Sequence, residues 1–266
     1  MSRDQTFDLQ SHSTHSDGSL APEQVVERAA RAGVTLLALT DHDTVDGVSD
    51  AIDAGRAHGV RVVPAVELSA VGAGVEDLHI LGYGLDHADP GLLATLHDFR
   101  ADRGRRIHAM AERLRELGFT IEEIEHESPG RPHLAEQLLP QLPGMDRDTV
   151  FGTYLVPGAP TYVPRSRPTV HQAIDVIHRA GGLAVWAHPF WDLAEPELDA
   201  FPGLDGVETF YVTYTEEQTR ALYAEATRRG LLTTGSSDFH GPEHERFNRF
   251  AAFETYGLAP QLGPIG

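Results

Sequence analysis

The 266-residue chain contains no cysteine, which excludes disulfides, thiolate metal sites and cysteine nucleophiles and permits a reducing compartment. It contains no lysine either, so all 21 basic residues are arginine. That absence removes a Walker lysine, a Schiff-base mechanism and the carboxylated lysine that bridges paired metals in many amidohydrolases. No apolar run approaches the roughly 20 residues that span a bilayer. The N-terminal stretch MSRDQTFD has no hydrophobic segment of the kind that makes a signal peptide, so a cytoplasmic protein without a membrane partner is expected. Internal repeats and low-complexity tracts are also missing.

Positive charge is scarce. With 40 acidic residues against 21 basic ones, the formal charge is -19, which argues against a broad footprint on duplex nucleic acid. A small phosphorylated ligand remains compatible, because bound divalent cations cancel acidic charge locally. What is present in quantity is apolar sequence, 41% of the chain, enough for one large α/β domain or a domain with an insertion.

Strand and helix patterns alternate from Thr6 to about Gly84. Strand-like TFDL precedes a helix from Pro22 to about Arg31, with Pro22 suited to a first turn and Gly33 to a terminus. VTLLAL, VSDAIDAGRAHG and VRVVPAVEL then read as strand, helix and strand, an order that predicts a parallel sheet. From about Pro90 the sequence becomes charged and helix-rich, and residues 94–165 are expected to form a helical insertion capping the site. The segments 1–93 and 166–266 flank it. Alternation resumes with a helix near Val170 to Ala180, strands LAVWA and GVETF, a helix near Glu216 to Arg229 and strand LLTTG. GLAPQLGPIG reads as a loose tail.

Six strand-like segments each end in a histidine or carboxylate: DLQSHSTHSDG, LALTDHDT, VVPAVELS, DLHILGYG, LAVWAHPF and TTGSSDFHG. A parallel barrel gathers such groups at the carboxyl ends of its strands. His12, Asp17, His42, Glu67, His79, His188, Asp238 and His240 are therefore expected to converge. That is more ligand capacity than one metal ion uses, and it predicts a multinuclear metal hydrolase.

These motifs, with HILGY, GRPHLA and AHP, occur in the order and spacing of the PHP (polymerase and histidinol phosphatase) family of metal-dependent phosphoesterases. The chain most resembles its stand-alone phosphatases. The resemblance implies a distorted (β/α)7 barrel holding two or three divalent ions, with manganese expected and iron, zinc or magnesium as alternatives. Carried over by position, one ion would be held by Gln10, His12, Glu67 and Asp238, a second by Asp17, His42 and His240, and a third by Glu67, His79 and His188. Gln10 departs from the family pattern, which begins His-x-His. An amide offers only its carbonyl oxygen, so the first ion should bind less tightly or prefer an oxygen-loving metal. His15 is disfavoured as a replacement.

A metal-activated hydroxide near Glu67 and Asp238 would attack phosphorus. Arg131 is the first choice for the phosphate oxygens, since a guanidinium donates two parallel hydrogen bonds, with Arg165 second. His133 would face the phosphate and protonate the leaving oxygen, a role a metal-bound water could also fill. Arg103 and Arg106 are expected on a solvated helix face. Asp41 and Asp43 would either orient imidazoles or cap their turn, and Glu208 lies outside the ligand set. Trp186 and Phe190 are expected to pack, and the other histidines, His126 and His244 among them, to be structural or exposed. The leading activity is hydrolysis of a phosphate monoester of a small metabolite, a nucleoside 3',5'-bisphosphate being the best match. A phosphodiesterase or 5'-end exoribonuclease is the alternative, and a non-catalytic metal-binding domain the third reading.

Overall fold

Seven strands form one sheet in which spatial order follows chain order: β1 (Phe7–Asp8), β2 (Leu36–Leu39), β3 (Arg61–Gly72), β4 (Val75–Tyr83), β5 (Leu183–Trp186), β6 (Gly206–Tyr211) and β7 (Leu232–Ser236). The structure is a computed structural model that describes residues 6–72, 75–166, 168–189 and 198–266. Just past β1 the chain meets β7 again. The Leu9 amide donates to the Gly235 carbonyl at 3.1 Å and the His12 amide to Phe239 at 2.8 Å, so the sheet curls into a nearly closed α/β barrel. Gly235 permits the curl, because a Cβ there would lie 2.6 Å from the Cβ of Phe210 on the neighbouring strand.

One strand breaks the expected parallel pattern. β4 runs antiparallel to both β3 and β5, with Ser69 opposite His79 and Leu81 opposite Val185. Only residues 73 and 74 separate β3 from β4, whereas a parallel crossover needs a dozen or more residues. The reversal brings the first half of β4 to the end of the barrel where the other strands finish. His79 is thus a mid-strand residue.

Strand parity sorts the core. Leu36, Ala38, Val63, Ala65, Leu81, Tyr83 and Val185 point inward and pack with Leu9. Leu37 and Leu39 point outward under α1 (Pro22–Arg31) and α2 (Val48–His58), against Val25 and Ala51. Continuing the inward rows leads from Val63 and Ala65 to Glu67, and from Tyr83 and Leu81 back to His79. The site is therefore the last layer of the barrel interior.

The opposite end of the barrel is closed by the segment expected to be loose. Leu262 and Ile265 are buried within the barrel-interior cluster, and Gln261 exchanges two hydrogen bonds with Thr233 at 3.0 and 2.8 Å. Gly and Pro made this stretch read as a tail, but its two spaced apolar residues fill the space under the strand starts.

Among the described residues no strand lies between Tyr83 and Leu183. α3 (Pro90–Glu116) is capped by Asp89, whose side chain accepts from the Leu92 amide at 2.7 Å. Its first half, Leu92, Leu96 and Phe99, packs on the barrel with α6 (Val170–Arg179). Its second half builds a separate apolar cluster, Ile107, Met110 and Leu114, with α4 (Arg131–Leu138), α5 (Arg147–Val150) and Leu155 in the π turn that follows. α7 (Glu216–Arg229) covers β6 and β7.

Candidate active site

Glu67 is the centre of the site. Its Oε2 lies 3.1 Å from His12 Nε2 and 3.6 Å from His42 Nδ1, and its Oε1 lies 2.7 Å from His79 Nδ1 and 3.3 Å from His188 Nε2. His12 Nε2 is also 3.2 Å from Asp238 Oδ1, while Asp17 reaches His240 at 3.5 Å and His42 at 3.7 Å. All eight groups that the strand-end pattern singled out therefore meet. The ligand atoms of seven of them form three overlapping groups, His12 with Asp17, His42 and His240; His42 with Glu67 and His79; and His12 with Glu67 and Asp238, and His188 adjoins them through Glu67 Oε1. Each group sits within 4.8 Å.

The donor set fits divalent cations. Imidazole nitrogens and carboxylate oxygens suit manganese, iron and zinc. Among the described residues, four buried atoms of the site, His12 Nε2, Asp17 Oδ1, His42 Nδ1 and Asp238 Oδ1, have no hydrogen-bond partner, although buried polar atoms are nearly always satisfied. Each faces other ligand atoms of the cluster, His12 Nε2 lying 3.2 Å from Asp238 Oδ1, Asp17 Oδ1 3.5 Å from His240 and His42 Nδ1 3.6 Å from Glu67, the kind of unsatisfied donor set that a divalent cation would complete.

Electrostatics prepares these groups as ligands. Burial opposes ionisation of Asp17 and Glu67, but the surrounding histidines outweigh it and hold both well below the usual carboxylate range. Burial also disfavours a charged His42 and, with Arg103 and His12 nearby, leaves that ring well below its ordinary value. His188 moves the other way. Glu67 overcomes the burial penalty and lifts it to about 9, so a cation binding there displaces a proton.

The backbone at two of these residues is strained, with φ of 29° at His188 and 53° at Asp238, where non-glycine residues rarely sit. Buried carboxylates beneath the site hold both. The His188 amide donates to Glu208 Oε2 at 2.8 Å, and Glu208 Oε1 accepts from Ser236 at 2.5 Å. Asp8 accepts from the Ser237 amide at 2.9 Å, the Ser237 hydroxyl at 2.6 Å and the Ala251 amide at 2.8 Å. Tyr211 donates to Asp238 Oδ2 at 2.8 Å. Glu208 stays outside the ligand groups as expected, whereas no motif in the sequence marks Asp8 or Tyr211. Only the position of Asp8 at the end of an apolar strand could have pointed to it.

Gln10 is drawn to the cluster as a donor. Its amide nitrogen gives a hydrogen bond to Glu67 Oε2 at 3.0 Å, and its oxygen accepts from Ser236 at 3.3 Å. His15 turns outward to Glu127 at 3.6 Å and joins none of the groups. Asp41 accepts from the Ser13 amide and from the hydroxyls of Ser13 and Ser16, which fixes the loop carrying His12 and Asp17.

Arg103 and Arg106 are buried, against the expectation of a solvated face. Arg103 donates to Asp43 at 3.0 Å, Ser69 at 2.9 Å and the Pro129 carbonyl at 2.7 Å. Arg106 donates to the Val163 carbonyl at 2.7 Å. The cause is that the face of α3 carrying them is covered by the barrel on one side and by the chain around residues 128–165 on the other.

Arg131 donates to the Leu155 carbonyl at 3.2 Å and lies over the Phe151 ring, while buried Arg165 donates to the Ser69 carbonyl at 3.4 Å. His133 accepts from the Gly130 amide at 3.0 Å and its ring lies 4.6 Å from that of His126. Burial, then His126, pushes its pKa down. His126 in turn donates to the Thr14 carbonyl at 3.1 Å, joining the insertion to the ligand loop. Trp186 is buried against Phe201 as expected, and Phe190 lies outside the described residues.

The PHP domain model matches residues 8–131. A 3',5'-nucleoside bisphosphate phosphatase of Chromobacterium violaceum is 34% identical over 89% of this chain and 87% of its own length. The chain belongs to the PHP family. A 5'-3' exoribonuclease of Escherichia coli is also 34% identical, over 89% of this chain and 85% of its own. A solved metal-dependent phosphoesterase of Bifidobacterium adolescentis superposes with a TM-score of 0.82 at 30% identity, covering 94% of this chain and 92% of that one. The PHP chain is thus a hydrolase of phosphate esters in a metal-dependent family. No helix among its described residues is long and apolar enough to cross a membrane.

Proposed function

We propose that this PHP protein is a cytoplasmic, manganese-dependent phosphatase that hydrolyses one phosphate monoester of a nucleoside 3',5'-bisphosphate, releasing phosphate. The observation that carries the reading is the convergence of His12, Asp17, His42, Glu67, His79, His188, Asp238 and His240 around orphaned buried ligand atoms. Its support for a nucleotide substrate is the 34% identity to a bisphosphate phosphatase over nearly the whole chain.

Bound divalent ions supply an acidified water and neutralise charge that develops on phosphate oxygens. The residues do the rest. His12, Glu67 and Asp238 would hold one ion, Asp17, His42 and His240 a second, and Glu67, His79 and His188 a third, the Glu67 carboxylate being shared. Glu208 and Asp8 keep His188 and Asp238 in their strained conformations, so little reorganisation is needed when phosphate binds. Residues 94–165 serve as a cap that supplies Arg131, Arg165 and His133 to the phosphate. His133, whose pKa burial and then His126 push down and whose Nδ1 accepts from the Gly130 amide, would carry its proton on Nε2 and donate a hydrogen bond to the phosphate.

The test is hydrolysis by manganese-loaded protein of p-nitrophenyl phosphate, its bis-ester, adenosine 3',5'-bisphosphate and short 5'-phosphorylated RNA. Release from the monoesters alone is expected. Comparable release from the bis-ester or processive RNA shortening would replace the phosphatase reading with the phosphodiesterase or exoribonuclease one. No turnover by protein with verified metal would leave a binding domain.

A further inference from the structure

A cleft of about 600 Å³ opens beside the metal groups, and His240 lines both. One wall belongs to the insertion and includes Arg147 and Phe151. The facing wall is the loop after His240, with His244 and Phe247. The walls are fastened together where Arg246 meets Asp148 at 2.8 Å. This volume lies in the usual range for small-ligand sites.

Two features give the cleft a chemical preference. The half-buried ring of Phe247 lies 5.6 Å from that of His240, while its backbone oxygen accepts from the His240 amide at 2.9 Å. The Phe247 ring is thereby fixed beside a candidate ligand, with the His244 ring 5.1 Å and the Arg246 guanidinium 6.0 Å from its centroid. Arg147 stands 5.9 Å from the Phe151 ring, and among the described residues no carboxylate pairs with it, its neighbour Asp148 being taken by Arg246. In a chain of charge -19, a half-buried arginine without an acidic partner is an open position for an anion.

We infer that this cleft receives the nucleoside end of a doubly phosphorylated substrate, with the base stacked on Phe247 and the phosphate that is not cleaved held by Arg147. The inference rests on the phosphatase reading and adds the groups that select the substrate. Aromatic stacking accepts any base because every base has a π-face, so discrimination comes from the second phosphate. A monophosphate fills the metal site and leaves Arg147 without an anion.

Kinetics of wild type, Arg147→Ala, Arg147→Lys and Phe247→Leu separate these roles. The substrates are adenosine 3',5'-bisphosphate, the adenosine monophosphate sharing its scissile group, and p-nitrophenyl phosphate. Arg147→Ala is expected to lower the kcat/KM preference for bisphosphate over monophosphate about tenfold, mainly through KM, and Arg147→Lys to restore part of it. Phe247→Leu, which keeps apolar bulk, is expected to lower the preference for the adenosine monophosphate over p-nitrophenyl phosphate by a similar factor. Preferences that stay within twofold in both variants overturn the assignment. Calorimetric binding of adenosine 3',5'-bisphosphate reads the cleft even without turnover. Arg147→Ala should weaken it about tenfold, and equal affinity in the two proteins overturns the proposal whether or not the phosphatase reading stands.

Discussion

Glu67 touches four histidines with two oxygens, so replacing it affects every candidate ion site. Glu67→Gln keeps its shape but halves its ligand capacity, and should lower both bound metal, read by elemental analysis, and turnover by at least about a hundredfold, more than loss of a supporting hydrogen bond causes. Gln10→His replaces a donor to Glu67 with an imidazole. It should raise bound manganese per chain without abolishing activity, and unchanged metal content would exclude position 10 from ligation. Asp8 carries a pH signature that a single substitution isolates. Burial raises its carboxyl from 3.8 to about 6, against the opposing pull of hydrogen bonds from Ser237 and Ala251. The native state therefore keeps this proton to higher pH than the unfolded chain does. The resulting stability is whole below about pH 4 and is lost as pH rises through about 6, on the order of 3 kcal/mol. Asp17 and Glu67 trend the opposite way, so the comparison is with Asp8→Asn. Between pH 4 and 7, urea unfolding of metal-free protein should shift toward the variant by about that amount, and parallel curves would contradict it.

At the scale of elements, α3 links the two parts of the chain. Its first half completes the barrel and its second half anchors the insertion, while Arg103 between them bonds Asp43, Ser69 and the Pro129 carbonyl. Removing that guanidinium leaves the buried Asp43 carboxylate without its counter-charge, which typically costs 3–5 kcal/mol. Arg103→Ala should show a loss of about that size in denaturant unfolding. Helices α1, α2, α6 and α7 were legible because their apolar spacing and termini are local signals. The direction of β4 was not, since a period-two pattern reads the same in either direction and only the two-residue link to β3 decides it. Arg103 and Arg106 looked solvated because a helix's sequence cannot say how many neighbours will cover it.

For the whole molecule, the charge of -19 and the cluster of buried carboxylates make folding and metal binding one equilibrium. A cation bound at a concentration 100-fold above its Kd adds about 2.7 kcal/mol, and in a domain of this size each kcal/mol is worth about 2–4 °C. Chelation should lower Tm by roughly 5–10 °C per tightly held ion, manganese should restore it, and a scan insensitive to chelator would argue against a structural contribution from metal. Ligand types, the barrel's alternating elements and the absence of lysine and thiolate chemistry are legible in the residues alone, because they are properties of single positions and short runs. That the eight groups share one pocket, that Gln10 donates to Glu67, that Leu262 and Ile265 plug the barrel, and that Asp8 and Glu208 hold up the site emerge from the folded chain. These depend on contacts between residues far apart in the chain, Asp8 and Ala251 for example lying 243 positions apart, and such contacts exist only once the sheet has closed and excluded water.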